Sequence, residues 1–282
     1  MPAYKQQHFL PLAYLGQFGG PPERELRKRR IWRVSDTHAG EVPVGTQCQE
    51  DYFYSKHRAA LCESYFSQIE SIYGSLMGKI ARRESLSRHD LFLLFLCAVD
   101  FYARGSRFRA HSAREEYELY LHRIGIFKTQ LISSDLANAD DAARRDYILR
   151  NWDFGLIPFL EETAVLTSDS PSIWFGSKHA PGQLQGVLMP VTPLCCFVAA
   201  HRPSYCIEEK VATPEDAHVV SINEIENSVD AVFFSDPLSG EEIAAIRGKL
   251  ASRLVVPADP HGWRLELIDY DENPNLTFLK IA

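Results

Sequence analysis

The stretch Thr167-Ser168-Asp169-Ser170-Pro171 follows the apolar run Ala164-Val165-Leu166, so it should stand where a strand exits into a turn. There Asp169 could ligate a metal or act as a general base with Ser168 as its hydrogen-bond partner, although an Asx or Ser/Thr turn stiffened by Pro171 uses the same residue types. His8 lies in an apolar context near the N-terminus. A lone histidine is more often structural or exposed, yet imidazole serves as a metal ligand or acid–base group when a carboxylate orients it, and Asp169 or Glu70 could supply that carboxylate. Glu63 and Glu70 stand two helical turns apart on one face, a spacing that aims two carboxylates at one pocket or simply wets a helix surface.

Asp100 and Arg104 are spaced i,i+4 on a helix that is otherwise apolar all round. The plain reading is a structural ion pair; the sharper one makes Arg104 a clamp for an anion or phosphate. Asp169 with Glu208-Glu209-Lys210 offers the residue types of a D…E-x-K nuclease, but E-x-K is common by chance and the separation is long. No G-x-S-x-G elbow, Walker A loop, G-x-G-x-x-G turn or H-E-x-x-H helix occurs, so serine-hydrolase, P-loop, dinucleotide and zincin readings have no support.

Several elements must position these residues. Arg27 to Val34 reads as a strand with basic side chains in water, or as a basic patch for phosphates. From His57 to about Arg83 the residues Leu61, Tyr65, Ile69, Ile72, Leu76 and Ile80 recur at helical spacing and predict a long helix with that stripe as its apolar side. Ser87 and Asp90 form a capping box that opens the next helix, which carries Asp100 and Arg104 and should be central and buried. Helical signal continues over Ala113–Ile124 and Asp141–Glu162, the latter interrupted near Gly155 and Pro158. Short β-rich runs then follow at Ala164–Leu166, Gly186–Val191, Leu194–Ala200 and Ala217–Ile222. Asn223–Phe234 and Ser239–Leu254 read as helices, and Trp263–Ile268 and Thr277–Ile281 as closing strands. The expected fold is α+β: a mainly helical N-terminal half around a buried central helix, packed on a mixed or antiparallel β-rich C-terminal half. A single domain over 1–282 is expected, with a subdivision near residue 160 as the alternative.

Of 282 residues, 45% are hydrophobic and 24% charged, ordinary globular composition that argues against general disorder. With 37 acidic against 30 basic residues the net charge is -7, so nucleic acid could bind only through a local basic patch. Six scattered cysteines without C-x-x-C spacing suggest reduced thiols. With no apolar stretch of signal-peptide or membrane-spanning length, the expectation is a cytoplasmic protein that does not enter the membrane.

His8-Phe9-Leu10-Pro11 followed by Tyr14, Leu15 and Phe18 resembles the opening signature of the domain of unknown function 4238 family. Tyr54, Glu63 and Phe66-Ser67-Gln68-Ile69-Glu70 resemble its acidic helix, Arg104 with Arg107 to Arg109 its arginine segment, and Thr167 to Pro171 its most recognisable motif. Met189 to Pro193 and Ile222 to Glu226 fit as well. The resemblance spans most of the chain and implies a set of motifs without an activity.

Drawn together, His8, Glu70, Arg104 and Asp169, with Ser168 and Glu63 beside them, suit metal-assisted attack on a phosphoester. Asp169, Glu70 and His8 would hold a divalent ion such as Mg or Mn, and Arg104 would hold the phosphate. The alternative is a non-catalytic protein–protein interaction module in which the same residues form a structural polar network.

Overall fold

The computed structural model describes residues 6–20, 24–51, 53–55, 58–104, 118, 120, 121, 124, 125, 140–176, 184–252 and 276–281. The chain opens with β1 (Gln6–His8), a one-turn helix α1 (Leu12–Leu15), β2 (Arg30–Ser35), β3 (Ala39–Pro43) and β4 (Gln49–Asp51). Helices α2 (Ala59–Ala81), α3 (Arg88–Arg104) and α4 (Asp141–Asn151) follow. Next come β5 (Trp152–Pro158), β6 (Thr167–Ser168), β7 (Ile173–Gly176), β8 (Leu184–Thr192), β9 (Cys195–His201) and β10 (Tyr205–Ile207). The described chain ends with α5 (Pro214–Asn227), β11 (Ala231–Phe234), α6 (Gly240–Ser252) and β12 (Leu279–Ile281).

The architecture is α+β, but the N-terminal half is not mainly helical, because strands occupy much of residues 6–51. β1 and β4 are three residues each, too short for period-two alternation to register, and they form a ladder with each other in which His8 faces Gln49. β2 and β3 enter a four-stranded sheet ordered β3-β2-β11-β6. A second four-stranded sheet, β5-β9-β8-β7, is antiparallel throughout, and β10 pairs with β12.

The second sheet is buried on both faces, which explains its nearly continuous apolar strands. Val187, Met189, Phe197 and Ala199 face the core built by α1, α2 and α3, while Leu188, Cys196, Val198 and Ala200 face a second core with Ala217 and Val220 of α5. Gly186 stands opposite Phe175, whose ring lies where a Cβ would be, so a side chain there would force the ring away. A third cluster joins Val34, Val232 and Ile225 to Ile246 and Leu250 of α6.

Other expectations shift for local reasons. The predicted strand Ala217–Ile222 lies inside α5: its β-branched residues favour a strand, but Thr213, Pro214 and Asp216 start a helix through a complete capping box. The helix expected over Asn223–Phe234 therefore ends at Asn227, and its tail is β11. The segment Asp141–Glu162 divides after Asn151 into α4 and β5. Ala164–Leu166 lies outside the strands, with β6 beginning just after it. On α2 the buried residues are Cys62, Phe66, Tyr73, Leu76 and Met77, whereas Leu61, Tyr65 and Ile72 of the predicted stripe are exposed. Aromatic partners turn the helix: Phe66 meets Tyr54 and Tyr120, and Tyr73 meets Tyr14 and Phe101. Most of Ala113–Ile124 and all of Trp263–Ile268 lie outside the described residues. Among the described residues no helix is long and apolar enough to cross a membrane.

Candidate functional site

Twelve of the seventeen residues of α3 are buried, and its last turn carries Arg104, whose side chain is 1% exposed. Ser87 and Asp90 cap the start of this helix reciprocally, as their spacing predicts. Arg104 donates from Nε to Tyr54 Oη at 3.0 Å, from Nη1 to Asp100 Oδ2 at 3.3 Å, and from Nη2 to Glu70 Oε1 at 3.0 Å and the His8 carbonyl at 2.9 Å. Its carbon centre lies 4.1 Å from the middle of the Phe66 ring. Four of the five guanidinium N–H donors therefore end on protein acceptors. Burial opposes the charge, and Tyr54, Asp100 and Glu70 outweigh it, holding Arg104 charged well above its ordinary range.

Asp100 accepts a second hydrogen bond, from Tyr120 Oη at 2.7 Å. Burial raises its carboxyl, against the pull of Arg104 and Tyr120. His8 contributes its backbone carbonyl to the hub; burial lowers its imidazole against the opposing charge of Glu70, which favours the neutral ring. Glu63 is raised by partial burial and by Glu70. The structure thus gathers His8, Glu70 and Arg104 at one place, with Glu63 in their field.

Asp169 and Ser168 belong to a different place. Asp169 is 3% exposed and accepts the backbone N–H groups of Val229 through Oδ1 and Asp230 through Oδ2, both at 2.8 Å. It fastens the turn between α5 and β11 onto the end of β6. Ser168 is fully buried, and its Oγ accepts from the Ser170 N–H at 3.2 Å, the Ser/Thr turn that this residue pattern allows. Asn227 donates to the Ser170 and Ser172 carbonyls and closes the same loop from α5.

Glu224, which motif reasoning passed over as a site residue, sits on the buried side of α5. It is 0% exposed, and no group among the described residues makes a well-formed hydrogen bond to either carboxyl oxygen, although the Ser168 hydroxyl and N–H lie near them. Burial drives its carboxyl well above the ordinary range; the Ser168 hydroxyl and N–H lean the other way, and Asp169 adds to the rise. Tyr14 adjoins it, with Tyr14 Oη donating to the Pro190 carbonyl at 2.7 Å and sharing a 2.6 Å hydrogen bond with Thr167. The available signal was Glu224 falling between Val220 and Ile225 on the apolar side of a helix, inside the Ile222–Glu226 segment.

A cleft of about 510 Å³ opens near Asp169. Phe9, Arg33, Gln49, Glu50, Asp169 and Asp230 are among its walls, so the opening His-Phe-Leu-Pro segment and the Thr-Ser-Asp motif reach the same concavity. Cys48 also faces it; burial pushes its thiol up, and the Asp169 carboxylate adds to that, so the sulfur holds its proton and is a poor nucleophile. Arg33 is ion-paired with Asp230, Arg30 with Glu41 and Lys28 with Glu25, which removes much of the basic character expected of this segment. Glu208 pairs with Lys280 and Lys210 on the outer β10–β12 ladder. Among the described residues, no three His, Cys, Asp or Glu side chains are placed to hold a metal ion.

No curated protein and no solved structure matches the chain. The model of the family described as protein of unknown function DUF4238 matches residues 6–237, and the chain belongs to that family.

Proposed function

We propose that the chain is a non-catalytic protein-interaction module whose buried polar residues fix its helices and sheets in place. The observation that carries this reading is the saturation of Arg104: a guanidinium already bonded to Tyr54, Asp100, Glu70 and the His8 carbonyl has little left for a phosphate. Asp169 supports it, since both carboxylate oxygens hold backbone amides, and so does Ser168, which is too deep to meet a substrate. The competing reading is phosphoester hydrolysis with Mg or Mn on Asp169, Glu70 and His8. It needs these groups together, whereas His8 and Glu70 surround Arg104 and Asp169 holds the β11 turn.

Asp169→Ala should lower the urea-unfolding free energy by about 2 kcal/mol by stranding two backbone donors. The wild-type chain should show no saturable heat with Mn²⁺ and no cleavage of bis(p-nitrophenyl) phosphate or single-stranded DNA above buffer. Metal-dependent cleavage that disappears in a folded Asp169→Ala protein would overturn the module reading.

A further inference from the structure

We infer that residues 276–281 are a self-bound ligand, seated in a groove between β10 and the start of α5 that also receives the same kind of segment, a turn running into a strand, from a partner protein. On the module reading, on which this rests, the groove is the module's docking surface.

Three apolar anchors hold the segment. Leu276 is 1% exposed, Phe278 0% and Leu279 2%, and all three enter the second core with Ile157, Tyr205, Ala212 and Ala217. The Leu279 N–H donates to the Leu276 carbonyl at 3.0 Å and makes the turn. From there the backbone joins the antiparallel ladder of β12 on β10, with Ile207 opposite Leu279 and Cys206 opposite Lys280, and the Glu208 N–H donates to the Phe278 carbonyl at 2.9 Å. Lys280 is ion-paired with Glu208. Asp216 supplies the polar anchor: it is fully buried, and the capping box of α5 fixes its carboxylate through the Thr213 N–H and hydroxyl. The Thr277 N–H then donates to Asp216 Oδ1 at 2.6 Å and the Thr277 hydroxyl to Oδ2 at 2.8 Å. That acceptor is preset by its own helix, whatever fills the groove.

Two observations separate the occupant from its groove. The family match ends at residue 237, so Ile157, Tyr205, Glu208, Ala212 and Asp216 belong to the shared domain, whereas residues 276–281 lie beyond it. Among the described residues β12 pairs with β10 alone, so its departure breaks a single ladder. In strand addition of this kind main-chain hydrogen bonds supply affinity and side-chain pockets supply specificity. A fitting partner segment therefore carries leucine, then threonine or serine, phenylalanine, leucine and a basic residue, in the order of residues 276–280. Glu208 selects the positive charge, as its pairing with Lys280 demonstrates. The resident segment is an intramolecular competitor that holds the groove closed until a partner's segment displaces it.

The test uses the full chain and a fluorescein-labelled peptide with the sequence of residues 275–282, followed by fluorescence anisotropy. The wild type should bind it weakly, and Phe278→Ala, which loosens the resident segment, should bind it roughly tenfold or more tightly. The same peptide with alanine in place of its phenylalanine should not bind. Lys280→Cys sets a thiol opposite that of Cys206, a spacing that suits a disulfide across an antiparallel pair. The oxidised form of that chain should refuse the peptide and the reduced form accept it. Equal binding by the oxidised and reduced chains, no gain in Phe278→Ala, or a Phe278→Ala chain that does not fold would overturn the inference, the last by making the segment an indispensable part of the core. Wild-type chains that dimerise with rising concentration, and stay monomeric when Lys280→Cys is oxidised while dilute, would give the groove to a second copy and overturn the partner. Metal-dependent cleavage alongside tight peptide binding by Phe278→Ala sinks the module reading and leaves the groove standing. Absent peptide binding sinks the groove and leaves the Asp169→Ala stability test untouched.

Discussion

Around Arg104 the interior balances charge with charge, whereas around Ser168 it accommodates acids by other means. The first cluster joins five separated stretches of chain, through His8, Tyr54, Glu70, Asp100 and Tyr120, and the guanidinium lies between two carboxylates. In the second, Asp169 is stabilised by backbone amides, and Glu224 is accommodated by keeping its proton. The difference has a physical consequence. An ion network of opposite charges fails badly when one member is removed; a carboxyl kept neutral by burial tolerates replacement by its neutral isostere and ties stability to pH.

Removing the hub should give the largest effect. Arg104→Met leaves Asp100 buried beside Glu70 without their cation, a loss of about 3–5 kcal/mol for one partner of a buried pair, read from urea unfolding. Should that protein not fold, Arg104→Met with Asp100→Asn and Glu70→Gln is expected to recover much of the loss. A cost below about 1 kcal/mol for Arg104→Met alone would mean that the network is ornamental.

Glu224→Gln breaks the comparison from the other side. Because the folded-state carboxyl is raised above its ordinary value of 4.5, the native state holds a proton that the unfolded chain releases. The wild type is therefore favoured below the unfolded value, and it loses stability as pH rises from there through the raised folded value, by about 1.4 kcal/mol per pH unit while the folded carboxyl stays protonated. Glu224→Gln carries no such proton, so its stability advantage over the wild type should grow across that window and vanish near pH 4. Parallel pH profiles for the two proteins would show that Glu224 is ionised in the fold.

How far these clusters could be read from sequence depends on how local their partners are. Asp100 with Arg104, Ser87 with Asp90 and Ser239 with Glu242 are pairs at i,i+3 or i,i+4, where helix geometry alone dictates contact, and all three form. The turn chemistry of Ser168 and Ser170 was equally local. Glu70, at the partly exposed edge of α2, meets Arg104 of the neighbouring helix across 34 residues, and no spacing rule reaches that contact. The assembly of His8, Glu70, Arg104 and Asp169 at one site went further than residue types can, since that depends on which sheet receives β6. Pairing of β6 with β11 binds Asp169 to the Val229–Asp230 turn, a tertiary fact with no counterpart in the linear pattern. Of the strands before residue 52, β2 was legible in Arg27 to Val34, whereas β1 and β4 were not, because three residues each carry little local preference and their pairing with each other sets their place.

The smallest effects compare two buried tyrosines, one in each cluster. Tyr120 Oη donates to the Asp100 carboxylate, while Tyr14 Oη donates to the Pro190 carbonyl and bonds Thr167, both neutral. Each hydroxyl lies in the interior, and phenylalanine preserves the ring packing in both cases. A hydrogen bond to a charged acceptor contributes more than one between neutral groups, so Tyr120→Phe should cost about 2 kcal/mol and Tyr14→Phe about 1 kcal/mol in urea unfolding. Asp100 should also move: without the Tyr120 donor its carboxyl rises further, so the native state takes up that proton more readily on acidification and the cost of Tyr120→Phe should shrink as pH falls, while that of Tyr14→Phe stays level. The reverse order of costs would place the stronger electrostatic coupling in the cluster that lacks an arginine, and would undo the division between an interior held by ion pairs and one held by protonation and backbone amides.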